Sequence, residues 1–161
     1  AAKVDLVEPE AEQLALTMMQ TLNKAARDVM VRYRVHACTD ITGFGMLGHT
    51  YEMAQGSDVQ ITLQVDHITF LPQALDLARM GILPAGLYRN RSFAEAGVDV
   101  GQTELAKQDV LFDPQTAGGL LISVAAEDAD AMETALQKAV PACQRIGTVA
   151  PYTGGKRILL R

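Results

Sequence analysis

Ala37-Cys38-Thr39-Asp40-Ile41-Thr42-Gly43-Phe44-Gly45-Met46-Leu47-Gly48-His49 reads as a strand end, a turn and the start of a helix. Phe44, Leu47, Tyr51 and Ala54 fall on one helical face. Thr42 stands where an N-cap belongs, and Gly43 and Gly45 leave the first turn free of side chains. Backbone N–H groups at a helix start lack internal partners and carry partial positive charge. Asp40 lies just ahead of them. A carboxylate and a phosphate repel each other there unless a cation joins them. Magnesium commonly takes one or two protein carboxylates plus substrate phosphates, so the arrangement suits a magnesium–nucleotide. The plainer alternative is that Asp40 and Thr42 only cap a helix.

Upstream, Val35 to Ile41 reads as a short strand. If it is extended, His36, Cys38 and Asp40 point to one side. Zinc would need a fourth ligand, and none stands at a familiar spacing. No activating base for Cys38 is identifiable, so a small buried thiol is the expectation. His49 is expected to be structural. Residues 1–9 read as a lead-in or linker, and residues 10–161 as one domain. From Pro9 the stripe Leu14, Met18, Leu22, Ala25, Val29 and Tyr33 predicts one long amphipathic helix to about Arg34, with Glu8, Glu10 and Glu12 at its start.

Downstream, Val59, Ile61, Leu63 and Val65 alternate with polar residues, predicting a strand buried on one face. Pro72 opens a helix that Gly81 and Pro84 close. From Ala85 to Lys107 no apolar period is visible, and a long loop is expected. It carries the basic cluster Arg89, Asn90 and Arg91, a candidate anion contact. Val110–Phe112 and Leu120–Val124 read as strands around the turn-forming run Asp113-Pro114-Gln115-Thr116-Ala117-Gly118-Gly119. Ala129, Met132, Leu136 and Ala139 mark a helix ended by Pro141. Ile146–Val149 and Arg157–Leu160 flank Gly154-Gly155 as an expected antiparallel pair. Helices and strands mix without strict alternation, so the predicted fold class is α+β, with helices on one face of a mixed or antiparallel sheet.

The 161 residues suit a single core, and a formal charge of −5 argues against nonspecific nucleic-acid binding. No apolar run reaches the roughly 18 residues that a membrane span needs, and no export signal is seen. Cys38 and Cys143 without Cys-x-x-Cys spacing point to reduced thiols in a cytoplasmic protein. The opening at Ala1 suggests a piece of something longer. Walker A, Rossmann and kinase catalytic-loop signatures are missing.

Two blocks, Thr39–His49 and Asp113-Pro114-Gln115-Thr116-Ala117-Gly118-Gly119-Leu120-Leu121, resemble bacterial selenophosphate synthetase (selenide, water dikinase). The tract around Tyr88-Arg89-Asn90-Arg91 is similar to that family too. The resemblance covers residues from about 10 onward and corresponds to the family's C-terminal half. Ala117 departs from it, standing where serine is expected in many relatives.

The resemblance implies the C-terminal fold of the aminoimidazole ribonucleotide synthetase-like superfamily. It also implies the reaction of ATP, selenide and water to selenophosphate, AMP and phosphate, with Mg²⁺ as cofactor. Asp40 matches the family's magnesium ligand in this half. Thr39, Thr42, Gly43, Phe44 and Gly45 would lie near the ATP phosphates. No catalytic nucleophile falls within these residues, because the family's cysteine or selenocysteine belongs to the missing N-terminal half. That half is the implied partner, in a full-length homodimer, and the present piece alone is expected to be inactive. The competing readings are a non-enzymatic scaffold domain, or half of a related ATP-dependent kinase or hydrogenase-maturation dehydratase.

Overall fold

The structure, a computed structural model, describes residues 6–161. Most of the lead-in, residues 1–5, therefore lies outside the described residues. In chain order the elements are α1 (Pro9–Gln20), α2 (Lys24–Met30), β1 (Val35–Asp40), α3 (Gly45–Gly56), β2 (Val59–Leu63), α4 (Ala74–Arg79), α5 (Ala85–Ala94), β3 (Val98–Asp99), α6 (Leu105–Phe112), β4 (Leu120–Val124), α7 (Ala129–Ala139), β5 (Gly147–Pro151) and β6 (Ile158–Leu160). They form an α+β fold with a four-stranded mixed sheet, ordered β3-β6-β2-β5, and a separate β1-β4 ladder.

The alternation of Ile61 and Leu63 with polar neighbours puts β2 at the centre of the larger sheet. It runs antiparallel to β5 and parallel to β6. Leu47 and Ala54 of α3, Leu87 and Ala94 of α5, and Leu111 and Phe112 of α6 pack on Ile61, Leu63, Val98, Ile158 and Leu160. Full burial of one such Leu, Ile or Phe side chain is worth about 1.5–3 kcal/mol, so this cluster is the main source of cohesion. A second, smaller cluster joins Val29 of α2 and Met132 and Leu136 of α7 to Val35, Ile122 and Val124 of the ladder.

Four expectations are corrected. The long N-terminal helix breaks after Gln20, where Thr21 turns extended, and Asn23 sends its side-chain amide to the Gly118 carbonyl at 3.0 Å. The segment after Ala85 is not a loop. It forms α5, whose inward positions are Leu87, Asn90 and Ala94, so a polar and a small residue hide the stripe. Val110–Phe112 is the end of α6, not a strand, and its buried face includes the charged Asp109. Finally, β5 and β6 do not pair with each other, because β2 lies between them.

The stripe of α1 is barely used. Ala11 is buried, while Leu14, Met18 and Leu22 stay exposed, Leu22 by 78%. Among the described residues no helix is long and apolar enough to cross a membrane.

Candidate functional site

Three sequence tracts meet where β1 ends. Asp40 stands opposite Leu120 in the β1-β4 ladder and is exposed. The chain then runs beside the turn that precedes β4. The Ile41 amide donates to Gly119 O at 2.9 Å, and the Gly118 amide returns the bond to Ile41 O at 3.0 Å. The Gln115 amide donates to Thr42 O at 3.0 Å. The third tract enters from α5. Asn90, only 6% exposed, donates its side-chain amide to Gly43 O and to Phe112 O, each at 2.9 Å. Each block thus supplies the polar partners that the next one needs.

Gly45 is the tightest point of the turn. Its φ is +70°, and a Cβ there would come within 2.7–2.8 Å of the Phe112 and Asp113 carbonyl oxygens. Only glycine combines that backbone conformation with such close approach.

Thr42 is not the N-cap. The helix starts at Gly45, Phe44 holds the cap position, and the Gly45 amide bonds Thr42 O at 2.9 Å. No side-chain hydrogen bond caps the helix start, and the turn ahead of it is met from inside the helix. Nε2 of His49 lies 3.2 Å from Thr42 Oγ1 and accepts the Phe44 amide at 3.4 Å. Its Nδ1 faces Glu52 at 3.2 Å. The Phe44 ring tilts against His49 and stacks on Phe93, with centroids 5.4 Å apart in each pair. From the sequence alone His49 is expected only to be structural. The i, i+5 spacing from Phe44 across a glycine-rich helix start was the available signal.

The basic cluster is largely occupied. Besides the bonds of Asn90, Arg91 donates to Asp109 Oδ1 at 2.6 Å and lies over the Phe112 ring, 4.8 Å from its centroid. Both residues of this pair are mostly buried. Arg89 alone of the three is exposed. Asn90 and Arg91 spend side-chain donors inside the fold, and Arg89 presents its guanidinium outward.

Cys38 is exposed, not buried as expected. Partial desolvation, and then the neighbouring Asp40 carboxylate, push its thiol up, so it is a poor nucleophile at neutral pH. Asp113, at the start of the second block, lines a cleft of about 400 Å³ with Ala74, Leu77, Ile82, Leu83, Pro84 and Val110. Burial pushes its carboxyl up to about 6.

Asp40 offers an exposed hard oxygen donor at the end of β1, just ahead of a braced turn, which suits a divalent cation that keeps much of its water. Among the described residues there is no cluster of three or more His, Cys, Asp or Glu able to hold a metal. One carboxylate fits only as a partial ligand set. Thr39 and Thr42, half-buried, and Gly43 and Phe44, exposed, adjoin it in the chain, Phe44 with 44% exposure, whereas Gly45 is buried.

The profile of the family described as "AIR synthase related protein, C-terminal domain" matches residues 2–159. The chain is 45% identical over 140 residues to a selenide, water dikinase of Treponema denticola, covering 87% of this chain and 40% of the relative. It is 43% identical over 154 residues to that of Clostridioides difficile, covering 94% and 44%. A relative of the same name from Clostridium botulinum is 38% identical over 162 positions, covering all of this chain and 47% of its own length. The chain thus spans less than half the length of these curated relatives, and it matches their C-terminal half. It belongs to the AIR synthase-related family as a C-terminal domain, on the side of that family occupied by proteins named selenide, water dikinase.

Proposed function

We propose that this domain supplies one wall of the ATP site of a selenophosphate-forming enzyme, with Asp40 as a magnesium ligand. The supporting observation is the bracing of the Ile41–Gly45 turn. Ladder, second loop and α5 all spend hydrogen bonds on holding the residues directly after an exposed carboxylate. Such expenditure suits a surface that must meet a ligand in one fixed geometry.

In that role the Asp40 carboxylate would hold the cation, and the backbone and side chains of Thr39 and Thr42–Gly45 would line the phosphate side. Magnesium, when bound, would neutralise charge on the phosphates during transfer. The rest of the ligand set, the nucleophile and the selenide route would come from a companion half like the one the relatives carry. The exposed Leu14 and Met18 of α1, and Leu22 just beyond its end, suit coverage by such a half. A homodimer of the full-length protein belongs to the same reading.

The test is to mix this chain with the N-terminal half of the Treponema denticola relative and follow AMP formation with and without selenide. Selenide-dependent AMP formation that falls by more than about 100-fold in Asp40→Ala supports the reading, since loss of a direct ligand should exceed the roughly 10–100-fold typical of outer partners. Near-normal turnover in Asp40→Ala contradicts the ligand role. Turnover independent of selenide points to a kinase or dehydratase acting on another acceptor.

A further inference from the structure

His49 reaches back from α3 to two residues of the turn that follows Asp40, Thr42 and Phe44. Three facts fix its chemistry. Glu52 Oε2, 3.2 Å from Nδ1, only accepts when ionised, so Nδ1 carries a proton. The Phe44 backbone amide, 3.4 Å from Nε2, can only donate, so Nε2 carries none. The Thr42 hydroxyl, 3.2 Å from the same nitrogen, rotates to suit and shares the lone pair. The ring is 11% exposed, with Phe44 tilted against it and Phe93 stacked on Phe44. Tyr51, edge-on to Phe93, extends the aromatic packing.

Thr42 and Phe44 flank Gly43, whose carbonyl Asn90 holds from the other side. A Cβ at Gly43 would meet nothing within 4 Å, so packing does not hold it, and the Asn90 bond and its two chain neighbours do. We infer that His49, in the Nδ1-protonated neutral form, is a positioning residue that fixes the Thr42–Phe44 turn and through it the direction of Asp40. The inference rests on the reading of Asp40 as a metal ligand and adds the group that orients it. It follows the general pattern in which outer partners hold a metal ligand in register. His49 touches neither metal nor nucleotide in this account.

The test uses this chain, with Mn²⁺ alone as the probe and NMR as the readout. In the unaltered chain above pH 8, two-bond proton–nitrogen correlation should show the Nδ1-protonated tautomer of His49. An Nε2-protonated ring overturns the inference. Mn²⁺ should broaden the amides of residues 39–42. His49→Gln keeps an acceptor and should need at most about twofold more Mn²⁺ for the same broadening. His49→Phe keeps a ring against Phe44 but accepts nothing, and should need about tenfold more. It should also show faster exchange of the Phe44 amide. Urea unfolding of both variants checks that they fold, and if His49→Phe does not, Thr42→Val takes its place with a smaller expected shift in the same direction. Broadening in His49→Phe equal to the unaltered chain overturns the positioning role while leaving Asp40 as a ligand. No broadening near Asp40 in the unaltered chain overturns the Asp40 reading, and the inference falls with it.

Discussion

Gly43 and Gly45 stand two residues apart and are held in opposite ways. Around Gly43 a Cβ would meet nothing within 4 Å, whereas at Gly45 it would strike two carbonyl oxygens from a left-handed backbone. Gly45→Ala should therefore cost about 2–4 kcal/mol, combining backbone strain with displaced chain. Gly43→Ala should stay within about 0.5 kcal/mol, which parallel urea titrations measure. Asp113 makes a second residue-level prediction. Its carboxyl is raised from 3.8 to about 6 by burial, so the folded state keeps the proton longer than the unfolded chain. The stability this gives is complete below about pH 4 and is lost as pH rises through 6. Relative to Asp113→Asn, the unaltered chain should lose about 1 kcal/mol across that window, the figure being reduced for the solvent that still reaches the group. A flat difference between the two proteins from pH 4 to 7 would contradict it. At this scale the tight turn at Gly45 is legible in the sequence, because small residues at a helix start carry meaning on their own. Thr42 falls outside the cap position because the helix starts only at Gly45 and no side chain caps it, and a hydroxyl ahead of a glycine pair does not show where the first turn begins.

At the level of elements, α5 and α6 join the two signature loops. Asn90→Ala leaves the Gly43 and Phe112 carbonyls without their donor and should cost about 1–3 kcal/mol in urea unfolding. Loss of less than about 0.5 kcal/mol would mean that water replaces the amide. The two helices also mark the limit of pattern reading. Their buried faces carry Asn90 and Asp109 beside Leu87, Ala94 and Leu111, and a hydrophobic period cannot show a face that is partly polar. The strand β2, by contrast, was plain, since its alternation is uninterrupted. The β5–β6 pair was misread because Gly154 and Gly155 do take positive φ and do turn the chain. What a turn cannot show is that β2 occupies the space between the returning strands.

For the whole molecule, two clusters divide the work unequally. Leu136→Ala, in the smaller cluster, should cost about 2–5 kcal/mol, while Leu22→Ala on the exposed end of the α1 stripe should cost under about 0.5 kcal/mol in this chain. Joined to a companion half, Leu22→Ala should become costly, and an unchanged small value there would remove the segment just after α1 from the interface. The chain should fold alone on its continuous main core and form no AMP from ATP and selenide.

The central claim is that the Asp40 carboxylate faces a divalent ion on the nucleotide. A crystal of the two halves together, grown with Mn²⁺ and a non-hydrolysable ATP analogue, tests it most directly through the anomalous signal of the metal. The account predicts a peak about 2.1 Å from an Asp40 carboxylate oxygen, shared with the phosphates. A metal held entirely by the other half, with the Asp40 carboxylate turned away from it, would contradict the account.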